Sequence, residues 1–292
     1  MRPEVPDAAP PTLADKAPPH AYFLVSAVFH YLGPSFAVLL FARVAPDGVA
    51  WLRIASAGLV FAVWRRPWRF FTRLPWREQG VVVALGVVLA VMNTAFYEAI
   101  ARLPLATVGA IEFLGPIIVA AAGARTRRNL AALALAVAGV YALTDLRLAG
   151  GALGYVFAFT NCGLFVLYIL LGHRIASGGG GRSGIDRLAA AMLVASVAAL
   201  PIGIRAALPA LGDPVLLAAA VGVGVSSSVI PYVCDQLAMR RLPRATFALL
   251  LALLPATATA IGFLVLRQVP TTADLLGIAL VIGGVALHRS QT

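Results

Sequence analysis

Apolar runs of about 18 to 25 residues follow one another along the chain, separated by short breaks in which arginine, proline and glycine collect. At 1.5 Å per residue, a helix of that length crosses the roughly 30 Å of a bilayer's hydrocarbon. Ten runs are read, near residues 20 to 42, 48 to 64, 80 to 101, 104 to 123, 128 to 145, 151 to 175, 186 to 204, 213 to 239, 243 to 266 and 271 to 289. The pattern predicts an all-α membrane protein of ten transmembrane helices.

Composition strengthens that reading. With 61% hydrophobic and 12% charged residues, no soluble arrangement of 292 residues could cover its apolar surface. A net charge of +11 would point to nucleic acid in a soluble protein. Here the positive residues alternate with the spans instead. With the N-terminus inside, 17 Lys and Arg fall in cytoplasmic segments and five in outer loops. An even number of spans then places both termini in the cytoplasm, and no nucleic-acid partner is expected. Arginine outnumbers lysine 22 to 1 amid abundant Ala, Gly and Pro, which suggests a GC-rich bacterial genome and an inner-membrane location. Residues 1 to 19 lack a basic n-region leading to a cleavable apolar stretch, so they read as a disordered cytoplasmic tail.

Residues 99 to 123 reappear 139 positions later as residues 238 to 262, with ten of 25 positions identical. Chance would give roughly three. Arg102-Leu103-Pro104-x-Ala106-Thr107 with Pro116 returns as Arg241-Leu242-Pro243-x-Ala245-Thr246 with Pro255. A weaker match relates residues 133 to 140 to residues 278 to 285. Five spans separate the copies, an odd number, so the second copy should lie upside down. Inverted repeats of this kind mark transporters. The expected units are residues 20 to 145 and 146 to 292, five helices each, around a central cavity. A flexible linker is expected from Ser177 to Gly184, where four glycines run together.

No nucleotide loop, metal cluster or nucleophile–base pair is present in the sequence, so ATP-driven transport by this chain is not expected, and neither are cofactors or enzymatic activity. Cys162 and Cys234 lie within spans and imply neither disulfide nor zinc. Four ionisable side chains stand out within spans: Arg53, Glu98, Glu112 and Asp235. Each costs about 2.5 to 3.5 kcal/mol at a span's centre, so it should face a cavity or a partner. Glu112 is the deepest acid, about 12 Å beyond Pro104. Pro116 has no N–H, so the carbonyl of Glu112 loses its helical donor and joins the carboxylate at one polar point. Desolvation there makes Glu112 a candidate to carry a proton. The alternative is a structural Glu bonded to a neighbouring helix.

Pro34 likewise frees the carbonyl of His30, which shares a face of the first span with Ser26 and Gly33. His30 reads as a cavity residue or as a buried neutral histidine that only packs. Asn93 and Tyr97 are i,i+4 neighbours on the third span, and Asn161, Phe165 and Tyr168 share a face of the sixth. These faces fit a small polar solute, or interhelical bonding. Glu98 and Asp235 lie near span ends and are candidates for gates or ion pairs with Arg53 or Arg241; interfacial snorkelling is the other reading.

Met92-Asn93 with Phe96-Tyr97, Leu103-Pro104, Glu112-Phe113-x-Gly115-Pro116, Pro231-Tyr232, Leu242-Pro243 and Thr246-Phe247 together resemble the EamA branch of the drug/metabolite transporter superfamily, and within it the threonine/homoserine exporter group. The resemblance implies a 5+5 inverted-repeat bundle, export of amino acids or related metabolites, and alternating access. It carries over Arg53, Asn93, Tyr97, Glu112, Pro116, Tyr232 and Pro255, with Asp235 where the group tends to have a glutamate. Leu254 and Gln268 stand where the group usually carries acids. Pro34, Pro116, Pro231 and Pro255 are the expected helix breaks.

The expected function is export of an amino-acid-like solute, with Glu112 binding a proton or the substrate ammonium, and with Asn93, Tyr97, His30, Tyr232, Asn161 and Tyr168 shaping the cavity. The expected partners are that solute, the lipid bilayer and protons; the oligomeric state is left open. Alternatives are a multidrug or nucleotide-sugar carrier, whose cations cavity aromatics could serve, or a membrane scaffold.

Overall fold

The computed structural model describes residues 18–123, 126–143, 151–177, 181–242, 247, 250, 251 and 253–287. The expected tail therefore lies almost wholly outside the described residues, as do Pro243, Ala245 and Thr246 of the second repeat copy.

The described residues are helical: α1 (Pro19–Leu40), α2 (Pro46–Arg65), α3 (Trp76–Ile100), α4 (Leu105–Gly123), α5 (Arg127–Leu143), α6 (Ala152–Ser177), α7 (Gly181–Leu211), α8 (Pro214–Arg241), α9 (Leu253–Leu266) and α10 (Thr272–Leu287). A single turn, Trp68–Phe71, lies between α2 and α3. Six of them, α1, α2, α3, α6, α7 and α8, are long and apolar enough to cross a bilayer. The chain is a multi-pass membrane protein.

Local chemistry sets the helix ends. Pro19, Pro46 and Pro214 occupy first-turn positions, where a missing N–H costs nothing. The Asp213 carboxylate caps α8, accepting from the N–H groups of Val215 at 2.8 Å and Leu216 at 3.2 Å. The glycine-rich run expected as a linker is drawn into helices on both sides, since Ser177 ends α6 and Gly181 begins α7.

The prolines act differently from expectation. Pro34 and Pro116 sit within helices that continue past them. Each removes one backbone hydrogen bond from its helix. The irregular backbone lies near the other two expected breaks: residues 225–229 of α8 form a π-helical turn two residues before Pro231. Near Pro255, the Leu254 N–H turns back to the Leu251 carbonyl at 2.9 Å as α9 begins.

Packing inverts the soluble pattern. Leu59, Val63, Val197, Val215 and Leu264 point outward, while Ser26, His30, Arg53, Asn93, Glu112, Asn161 and Asp235 are buried. α2 lies along α7, tied by Trp51 Nε1 donating to the Ser196 carbonyl at 3.2 Å and Ser196 Oγ donating to the Ile54 carbonyl at 3.1 Å. α5 lies along α10; α3 packs on α6 and α7, and α1 and α2 pack on α8.

Contacts also sort the helix ends. At one end, Arg187 from the start of α7 pairs with Glu78 at the start of α3 at 2.5 Å, and Arg241 at the end of α8 lies over the Tyr22 ring at the start of α1. Arg128 Nε at the start of α5 donates to the Leu287 carbonyl at the end of α10 at 2.6 Å. At the other end, the N–H of Leu105 at the start of α4 donates to Gln268 Oε1, between α9 and α10, at 3.3 Å. Gly154, near the start of α6, packs there against Leu103.

Candidate functional site

Glu112 is 2% exposed, on α4, and its carboxylate is solvated entirely by side chains from other helices. Tyr31 Oη of α1 donates to Oε2 at 3.0 Å, and Asn161 Nδ2 of α6 donates to Oε1 at 3.0 Å. His30 Nε2 lies 3.5 Å from Oε2. Gly109, one turn earlier on α4, makes this possible. A Cβ there would stand 2.9 Å from Tyr31 Oη and 2.9 Å from the Ala258 Cβ.

Arg53 of α2 is buried on the far wall of the same cavity. Its Nε donates to Ser228 Oγ at 2.7 Å and its Nη2 to the Ser227 carbonyl at 2.5 Å, while its guanidinium lies 5.2 Å from the centre of the Tyr97 ring. The backbone explains the second bond. Pro231 has no N–H to offer the carbonyl four residues earlier, that of Ser227, and the Arg53 guanidinium takes its place. The close approach of α1 to this turn requires Gly33, where a Cβ would sit 2.3 Å from the Ser227 Cβ.

Asn93 of α3 and Tyr232 of α8 meet on the wall of the same cavity. Asn93 Nδ2 donates to the Leu89 carbonyl at 2.6 Å and to Tyr232 Oη at 3.2 Å, and Tyr232 Oη lies 3.3 Å from Asn93 Oδ1. His30, Arg53, Asn93, Glu112, Asn161 and Tyr232 together line a cavity of about 10 Å³. That is roughly the space one water needs. The pocket is nearly filled by its own polar groups.

The remaining expected residues fall into place around it. Tyr168 Oη donates to Asp235 Oδ2 at 2.8 Å, and Ser26 Oγ donates to Asp235 Oδ1 at 2.5 Å, so Asp235 and Tyr168 form a second buried polar cluster nearer the Tyr22–Arg241 end. Tyr97 lies under Arg53 with its buried hydroxyl unpartnered. Glu98 pairs with Arg102, just past the end of its helix, at the protein surface. The ion pairs expected of Arg53 and Asp235 are absent among the described residues, because each charge is met by neutral donors or acceptors instead. Tyr31, Ser227 and Ser228 were not singled out by the sequence. The proline rule that marked Glu112 and His30 also marks Ser227, whereas nothing in the local pattern separates Tyr31 from a packing aromatic.

The model of the EamA-like transporter family matches residues 152–289. Threonine/homoserine exporter RhtA of Escherichia coli (strain K12) is 32% identical over 257 residues, 86% of this chain and 84% of its own length. The protein of the same name from Salmonella typhimurium (strain LT2) matches at the same identity and coverage. A solved crystal structure superposes with a TM-score of 0.63 at 20% identity, over 92% of this chain and 96% of the other, a likeness of fold alone.

Proposed function

The chain belongs to the EamA-like transporter family, in its threonine/homoserine exporter group, and from that premise we propose that it exports amino acids or closely related small metabolites by alternating access. The observation that carries the reading is the cavity itself. Arg53, Asn93, Glu112, Asn161 and Tyr232, from five different helices, converge on a polar pocket of about 10 Å³, too small for an amino acid. Polar groups at such depth are costly unless they serve a ligand. A pocket this small that must admit and release one has to widen by relative movement of the helices around it.

The moving parts in this reading are two inverted five-helix units, residues 20 to 145 and 146 to 292. Support comes from the helix ends: α1, α3 and α7 begin at the Glu78–Arg187 end, while α6 begins beside Leu103 at the opposite end. Repeat mates α1 and α6 therefore run in opposite directions, as do α2 and α7. The bond between Asn93 and Tyr232 joins positions 139 residues apart, which is the repeat offset. Symmetry mates touch only where they approach the axis relating them, so this pair marks the pivot. The Arg and Lys bias places the Glu78–Arg187 end and both termini in the cytoplasm, in the inner membrane.

Glu112 is the coupling group in this mechanism, alternately holding a proton and the substrate ammonium, with His30 beside it. Threonine and homoserine are the first substrates to test. In proteoliposomes loaded with either, Glu112→Gln should abolish efflux and its dependence on a pH gradient. Unchanged transport with an unchanged pH response would sink the role assigned to Glu112.

A further inference from the structure

Resting on the amino-acid reading above, we propose that Arg53 anchors the substrate's carboxylate and that Glu112 with Asn161 anchors its ammonium, so that the pocket selects zwitterions carrying both groups.

Arg53 and Glu112 are opposite charges on the wall of one small cavity, yet they do not pair with each other. The guanidinium spends Nε and Nη2 on Ser228 and Ser227, and its Nη1 makes no hydrogen bond among the described residues. Both partners are neutral. A buried cation with only neutral partners, 3% exposed, is a site prepared for an anion. The planar fork of arginine suits a carboxylate in particular.

The opposite wall is prepared for a cation. Asn161 must turn its NH2 toward the Glu112 carboxylate, since an amide oxygen there would face an acceptor with an acceptor. That fixes the direction of its carbonyl. Asn161 Oδ1 is left buried with no partner, beside a carboxylate that itself receives only neutral donors and a histidine at 3.5 Å. An ammonium offers three donors, enough for Oδ1 and for the lone pairs Glu112 has left. The Asn93–Tyr232 pair lines the same cavity and would flank the body of a small amino acid.

Besides Arg53 and Glu112, the titratable and charged groups around the pocket are His30, which lines it beside Glu112, and Tyr31, Tyr97, Tyr168, Tyr232, Cys162 and Asp235. Asp235 is held by Ser26 and Tyr168 and does not line the cavity. Among the described lining residues, Glu112 is thus the acid, with the His30 imidazole against it, and Arg53 is the permanent cation.

The test is calorimetric titration of the purified full-length protein with three probes: L-threonine, 1-amino-2-propanol, which is threonine without its carboxylate, and 3-hydroxybutyrate, which is threonine without its amine. Wild type should bind threonine about tenfold or more tightly than either analogue, the size expected when a buried charge loses its partner. Arg53→Gln should weaken threonine about tenfold or more and leave 1-amino-2-propanol within about twofold. Glu112→Gln should do the converse, sparing 3-hydroxybutyrate.

Arg53 also ties α2 to α8. Should Arg53→Gln fail to fold, Arg53→Lys keeps the charge without the fork and should still weaken threonine by about threefold with no effect on the amine. Equal losses for threonine and amine in the Arg53 variants, or no loss for either, overturn this assignment while leaving transport intact. Wild-type protein that neither binds nor moves any amino acid overturns the transport reading, and this one with it.

Discussion

Glu112 and Asp235 are solvated by the same two helices in the same manner, yet only one of them faces the cavity. Each accepts a tyrosine hydroxyl and a smaller donor, one from α1 and one from α6: Tyr31 and Asn161 for Glu112, Ser26 and Tyr168 for Asp235. The difference is what remains. Around Asp235, both oxygens are matched and both donors are used, so the cluster ties α1, α6 and α8 together. Around Glu112, a buried carbonyl oxygen stays open and an arginine waits across the gap. On the proposal above, these two buried acids have different work: Asp235 fastens helices, and Glu112 awaits a ligand.

Four substitutions sharpen or break that contrast. Glu112→Gln should have the largest effect, lowering threonine efflux from proteoliposomes about 30-fold or more, which corresponds to about 2 kcal/mol for a charged buried contact. Asp235→Ala should act on stability instead. It leaves Ser26 and Tyr168 without an acceptor, and unfolding in detergent should become easier by about 1 to 2 kcal/mol, with the threonine Kd moving less than about threefold. A larger shift in affinity than in stability would erase the distinction between the two acids.

Tyr31→Phe removes one neutral donor from Glu112 and should weaken threonine about fivefold, near 1 kcal/mol, without changing the melting temperature as Asp235→Ala does. Glu98→Gln breaks a pair with Arg102 at the surface and should change neither flux nor stability by more than about 0.5 kcal/mol. An effect of Glu98→Gln as large as that of Glu112→Gln would mean that the outer end, and not the buried pocket, carries the selectivity.

Much of this site could be read before any coordinates. Glu112 is marked by depth and by Pro116, Asn161 and Tyr168 by a shared helix face, and Asn93 and Tyr232 by motif. Their partners could not be read. Tyr31 neighbours His30 in sequence, but helical geometry alone does not say which of two adjacent aromatics reaches α4; the space left by Gly109 does. Arg53 looked like half of an ion pair because an isolated charge in a span calls for an opposite one. Its actual partner is a backbone carbonyl left without a donor by Pro231, a vacancy that becomes visible only when α2 is laid against α8. The glycine run after Ser177 was legible as flexible composition, whereas docking of α7 draws Gly181 into the helix.

What the amino-acid sequence determined by itself is what solvent and repetition govern: apolar helices, because lipid leaves no other partner for backbone groups, and a repeated segment, because it is written twice. What tertiary structure alone decided is pairing. Which buried acid is closed off by its neighbours and which keeps an open acceptor depends on where side chains from distant helices end, to within an ångström. No one-dimensional pattern carries that distance.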